Sequence, residues 1–169
     1  MRWRNGLLFV LLVCCLLPGC TGGAEKTGYV LYFVSDGQAG HGSALGWECY
    51  PYEEEPQPEV LMERLLAGPK EEGLISPFPH GVTLRECRWD EERPGVMTVN
   101  LSEQYGALTD IGLTLADYCI VLTLSQLDGV ESVEILSNGN PSSYRSHQLM
   151  SPDEAILWDD LPQAKGDSS

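Results

Sequence analysis

Positive charge is scarce in this chain. Ten lysines and arginines stand against 25 aspartates and glutamates, a formal net charge of −15. Phosphate backbones and anionic lipid surfaces both need a basic footprint, so nucleic-acid binding and electrostatic membrane docking are excluded as main functions. The acidic excess itself reads first as a solvated surface. Histidine is also sparse. His41, His80 and His147 stand apart from one another, and no Cys-x-x-Cys is present, so zinc-ligand spacing is missing and no metal or other cofactor is expected. No G-x-S-x-G occurs, and no glycine-rich loop carries the lysine of a phosphate cradle. The one long apolar run, GLLFVLLVCCLL over residues 6–17, is too short to span a bilayer.

That run has another reading. Arg2 and Arg4 precede it, and Leu17-Pro18-Gly19-Cys20 follows. A basic start, a brief apolar stretch and a small residue at its end make an export signal. The last four residues resemble the lipobox of bacterial lipoproteins, with cleavage after Gly19 and a lipid, palmitate-type acyl chains on diacylglyceryl, at Cys20. A plain secretory leader with an incidental cysteine is the competing reading. Agreement among all three parts of the signal favours the lipobox. Each buried methylene contributes about 0.8 kcal/mol, so a two-chain lipid anchors stably. Cleavage removes two arginines and no acid, taking the net charge to −17.

Cysteine usage beyond Cys20 is small. Cys119 lies in an apolar helical run and reads as core. Cys49 and Cys87 are left either free or paired, as an exported chain permits.

Residues 20–28 are small and polar, a tether. YVLYFV over 29–34 reads as a strand and WECYPY over 47–52 as a second. PEVLMERLLA over 58–67 is a helix: Pro58 and Glu59 suit its first turn, Leu61 and Leu65 share a face, and Gly68-Pro69 end it. VTLRECRW and GVMTVNL, joined by DEERP, form a hairpin. The first is an edge strand, and the second buries Met97, Val99 and Leu101. A second helix is predicted over 114–127, with Thr114 and Asp117 at capping-box spacing. It is apolar almost all round and therefore buried. VESVEIL over 130–136 is a strand with Val133 and Ile135 inward. SPDEAILWDDL over 151–161 opens as a helix at Ser151-Pro152, with Ile156 and Trp158 docking. The fold class is α+β: a small mixed sheet with two helices packed on one face.

These residues resemble a known family, the GerMN domain. The specific part is LLAGP, with Leu65, Gly68 and Pro69, followed by Gly73, Leu74, Ser76, Pro79 and Gly81. Val99, Leu101 and Ser102 continue the pattern, then Thr123 and Leu124 near the helix end, then Gly129, Val130, Val133 and Ile135. The resemblance covers about residues 29–138. It implies a compact α+β module similar to the ring-building modules of secretion-like assemblies. It also implies exported or membrane-tethered lipoproteins of Gram-positive bacteria, linked to sporulation and spore germination, with no established catalytic residues. Two departures are Asn100, where members often carry Asp, and a single copy where some carry two. Gly139 is a loose match to a late family glycine.

The chain then divides into a leader (1–19), a tether (20–28), a GerMN domain (29–140) and a C-terminal extension (141–169). Three functions stay open. The first is a non-catalytic, lipid-anchored interaction module on the outer face of a bacterial membrane, meeting envelope or sporulation proteins through a sheet edge or apolar patch. The second binds a small molecule or cell-wall fragment, and a concave pocket with convergent polar groups favours it. The third is a cell-wall hydrolase or inhibitor, which requires a perturbed acid or thiol in a cleft. The adjacent acids Asp90/Glu91, Asp153/Glu154 and Asp159/Asp160, and the run Glu53 to Glu55, read as solvated faces. The first function is the expectation, with no enzyme activity.

Overall fold

The structure is a computed structural model describing residues 28–37, 43–51 and 54–155. Gly19, Cys20, His41, Glu53, Ile156, Trp158, Asp159 and Asp160 lie outside the described residues. The described elements are β1 (Val30–Ser35), β2 (Leu45–Cys49), α1 (Pro58–Leu66), β3 (Leu74–Ile75), β4 (Leu84–Trp89), β5 (Val96–Leu101), a 3-10 turn (Glu103–Ala107), α2 (Asp110–Leu124), β6 (Ser132–Ser137), β7 (Asn140–Pro141), β8 (Leu149–Met150) and a second 3-10 turn (Pro152–Glu154).

Two helices and two sheets make this an α+β fold, the class expected. The strands divide where one small sheet was predicted. One sheet has the order β2-β1-β3 and is antiparallel. The other has the order β4-β5-β6-β7, with β8 also on β6, and is mixed. In it β4 and β5 form the predicted hairpin, while β5 and β6 run parallel. A parallel pair needs a crossover, and α2 supplies it.

α1 starts and stops as its residues dictate. Pro58 occupies the first turn, and Gly68 sits just past the end at φ 86°, where a side chain would be strained. α2 differs from expectation. It starts at Asp110, one turn before Thr114, because Thr109 is the extended residue that opens it. Thr114 is inside the helix, its hydroxyl donating back to the Asp110 carbonyl at 3.1 Å. The helix stops at Leu124, so Gln126 and Leu127 belong to the turn that follows.

β5 also departs from simple alternation. Val96, Met97, Thr98 and Val99 are all buried, so both faces of this strand are covered. The main core joins Leu31 and Phe33 of β1, Leu61 and Leu65 of α1, Ile120 and Leu124 of α2, and Val133 and Ile135 of β6. A smaller cluster packs Cys119 of α2 against Val30 and Tyr32. α2 therefore buries both flanks, as its all-round apolar surface requires.

The β1 edge beside α2 is sealed by side chains. β3 pairs only with Val34 and Ser35. Lower on the strand, the Val30 N–H donates to Gln126 Oε1 at 3.0 Å, and Gln126 Nε2 donates to the Val30 carbonyl at 2.8 Å. The Tyr32 N–H donates to Thr123 Oγ1 at 3.1 Å. An amide and a hydroxyl thus stand in for a neighbouring strand, which leaves that edge unavailable for further pairing.

Candidate functional site

The GerMN-like residues are spread through the framework, and four of them, Gly68, Ser76, Pro79 and Gly81, line one cleft. Leu65, Leu101 and Leu124 are fully buried. The LLAGP turn is held by Glu48, a buried carboxylate on β2. It accepts the Lys70 and Glu71 N–H groups at 2.6 and 3.0 Å, with Arg64 at 3.4 Å. Pro69 leads directly into those two amides. Gly73, at φ 85°, accepts the Asp36 N–H at 2.9 Å, and Leu74 pairs with Ser35. The Pro79 carbonyl accepts the Val82 N–H at 3.3 Å, and Gly81 turns at φ 82°. Ser102 exchanges bonds with Thr83: its N–H donates to the Thr83 carbonyl at 2.9 Å, and its hydroxyl accepts the Thr83 N–H at 3.0 Å. Asn100 and Gly139, the two loosely matched positions, meet: Gly139 N–H donates to Asn100 Oδ1 at 2.9 Å. Beside the motif loop, a shallow cleft of about 300 Å³ is lined by Leu66, Phe78, Pro79 and His80.

The strongest polar constellation lies elsewhere. Asp117, on the buried side of α2, accepts two bonds from Arg145, Nε to Oδ2 and Nη2 to Oδ1, each 2.7 Å. The Tyr105 hydroxyl donates to the same Oδ1 at 2.6 Å. Arg145 also donates from Nη1 to the Ile135 carbonyl at 2.7 Å. Burial, then the Asp117 charge, pushes the Tyr105 phenol well above its ordinary range. Burial works to lower the Arg145 pKa, but the hydrogen bonds and charge of Asp117 outweigh it and the net shift is upward. The guanidinium stays charged, and its attraction to Asp117 offsets their shared desolvation. Nearly every lone pair and proton here is committed, so the network suits holding the segment 141–148 onto α2 and β6 better than proton transfer.

None of these three residues was singled out from sequence as a site. Asp117 looked like half of a capping box. The available signal was an acid inside a helix apolar all round, because a buried carboxylate needs a partner. Nothing local identified Arg145 as that partner.

Two clefts flank Tyr144. One, about 210 Å³, is lined by Ser137, Asn140, Ser142 and Ser143. The other, about 370 Å³, is lined by Asp110, Ile111, Thr114, Ser146 and His147. Both share Leu113, Tyr144 and Arg145.

Several other titratable groups among the described residues are paired or open to water. Arg93 binds Asp90 at 2.5 Å and Glu134 at 2.6 Å. Glu55 accepts the Asp128 N–H at 2.8 Å. Ser146, His147 and Glu154 do line up, hydroxyl to Nδ1 at 3.0 Å and Nε2 to carboxylate at 3.3 Å. His147 and Glu154 are 52% and 42% exposed, so water screens the chain of contacts that a hydrolase must bury. The Ser151 N–H, then His147, pulls the Glu154 carboxyl below its ordinary value. The Cys87 and Cys119 thiols are pushed up to about 12 by burial, which makes them poor nucleophiles. Cys49 is exposed, and Cys49, Cys87 and Cys119 are all free.

Comparisons with known proteins agree with this framework. The family Germane, described as "Sporulation and spore germination", matches residues 30–143. The structure of the tandem GerMN domains of the sporulation protein GerM from Bacillus subtilis superposes with a TM-score of 0.53 at 18% identity, over 78% of this chain and 47% of that one. The first GerMN domain of the same protein gives a TM-score of 0.59 at 13% identity, over 76% of this chain and 99% of that one. This chain thus spans about half of the tandem structure and nearly all of the single domain. At such identities the likeness is one of fold. The search of curated proteins returned no match.

Proposed function

Because the chain belongs to the Germane family of sporulation and spore germination, we propose that it is a lipid-anchored, non-catalytic interaction module acting on the outer face of a bacterial membrane. Its work there is protein contact within an envelope assembly that serves sporulation or germination.

The observation that carries the contact role is the outer edge of β4. Among the described residues this strand ends the sheet order and pairs with no strand but β5. Its opposite backbone groups point away from the sheet, and Trp89 on it is 44% exposed. An open edge with a tryptophan combines main-chain pairing with an apolar anchor, the means by which a partner strand is added to a sheet. The edge of β1, by contrast, is closed by Gln126 and Thr123. The anchor rests on Leu17-Pro18-Gly19-Cys20. No helix among the described residues is long and apolar enough to cross a membrane.

The test is photocrosslinking in sporulating cells from a benzoylphenylalanine at position 89. The reading expects a defined protein adduct and a spore defect on deletion. Recovery of lipid alone, together with normal spores on deletion, overturns it. Cys20→Ala is expected to release the chain from the membrane fraction, and unchanged fractionation overturns the anchor.

A further inference from the structure

Tyr144 is an aromatic side chain that the fold holds out into solvent. It is 66% exposed, yet its neighbour Arg145 is among the most firmly held residues of the domain, with 5% of its side chain accessible. The backbone around Tyr144 is closed on itself. The Tyr144 N–H donates to Ser142 Oγ at 3.3 Å, and Gln148 Nε2 donates to the Ser142 carbonyl at 3.0 Å. An exposed ring on a fixed backbone has little conformational freedom to lose on binding.

The smaller of the two flanking clefts has a chemistry unlike the rest of this acidic surface. Its side chains are neutral except Arg145, whose charge is spent on Asp117. Ser137 gives its proton to the Ser102 carbonyl at 3.3 Å and keeps lone pairs to accept. Ser142 accepts the Tyr144 N–H and keeps its proton to give. Asn140 Nδ2 donates to the Asn138 carbonyl at 2.9 Å, which leaves its own carbonyl oxygen facing other donors. Hydroxyls and amides that both donate and accept, set beside an aromatic face, match a ligand whose polar groups are hydroxyls on an otherwise apolar ring. Apart from the paired Arg145, the smaller cleft carries no charge in a chain of net charge −15, while the larger one adds Asp110 and His147.

We propose that the two clefts around Tyr144 bind a neutral glycan. One pyranose ring lies against the Tyr144 face and takes hydrogen bonds from Ser142 and Ser143. The next sugar along the strand enters the larger cleft, which shares Tyr144 and Leu113 with the first. This site lies on the C-terminal segment and is independent of the β4 edge, so either assignment stands if the other fails.

The experiment titrates the full chain with chitotetraose and with cellotetraose, read by calorimetry and by backbone amide shifts. Saturable binding of at least one oligomer is expected, with the shifts centred on Ser142, Ser143 and Tyr144. Tyr144→Ala weakens it by about tenfold, the loss of one aromatic contact. Tyr144→Phe keeps the ring and binds as the parent does. Ser143→Asp, which adds a charge to the neutral cleft without touching the ring, also weakens binding. Trp89→Ala, the exposed aromatic on β4, leaves binding unchanged. Three results each overturn the proposal: no saturation by either oligomer at millimolar concentration, binding by Tyr144→Ala and Ser143→Asp as tight as by the parent, or as large a loss in Trp89→Ala as in Tyr144→Ala.

Discussion

Asp117 and Arg145 meet through two parallel hydrogen bonds of 2.7 Å, both side chains about 95% buried. One belongs to the crossover helix and the other to the segment after β7, and Tyr105 closes the network from the 3-10 turn between β5 and α2.

Removing one partner leaves a buried charge unmatched. Arg145→Met is expected to cost about 3–5 kcal/mol in urea denaturation. The triple variant Tyr105→Phe/Asp117→Leu/Arg145→Met removes the whole network and recovers most of that loss. A single variant as stable as the parent contradicts the account.

The sealed edge of β1 has its own signature. Gln126→Leu deprives the Val30 N–H and carbonyl of their partners, and Thr123→Val does the same to the Tyr32 N–H. Each is expected to cost about 1–3 kcal/mol. Amide hydrogen exchange should speed up at Val30 in the first variant and at Tyr32 in the second, while the β5 amides, which keep their partners, change less.

Asp90 makes stability depend on acid. The Arg93 side chain first, then the Glu92 and Arg93 N–H groups, holds its carboxyl at about 2, against an ordinary value of 3.8. A depressed carboxylate contributes fully above its unfolded value and loses that contribution as pH falls toward its folded one. The stability gap between the parent and Asp90→Asn should be constant above about pH 5. It should narrow as pH falls through 3.8 and close only below about 2. A gap that does not shrink as pH falls from about 5 to about 2 contradicts the assignment.

Thiol reactivity should sort by burial. Among the three described cysteines, iodoacetamide at pH 8 should label Cys49 in the native chain, while Cys87 and Cys119 react only on unfolding. Peptide mapping reads the order. A Cys49–Cys87 cross-linked peptide, the pairing left open by sequence, would contradict the free thiols of the fold.

Local signals were legible wherever neighbours in the chain decide the outcome. Pro58, Gly68 and Pro69 delimit α1 because first-turn geometry and a positive φ are properties of single residues. The burial of α2 followed from its apolar circumference, and the hairpin from two β-rich runs around DEERP. The same local logic misplaced the start of α2, because Thr114 with Asp117 has capping-box spacing, whereas the fold puts the N-cap at Thr109, which makes no side-chain capping bond. It also assigned one buried face to β5, since alternation cannot reveal that a strand will be covered on both sides.

By itself, then, the sequence determined the α+β class, the family and the turn chemistry of the LLAGP segment, all of which depend on short-range sterics and apolar periodicity. Tertiary structure alone decided which polar groups meet. Arg145 reaches Asp117 across 28 residues, Gln126 reaches Val30 across 96, and Glu48 reaches Lys70 across 22. A buried charge or amide demands a partner, but no local pattern names it. Only the packing of α2 between the sheets brings these groups within hydrogen-bond distance and leaves Tyr144 facing out between its two clefts.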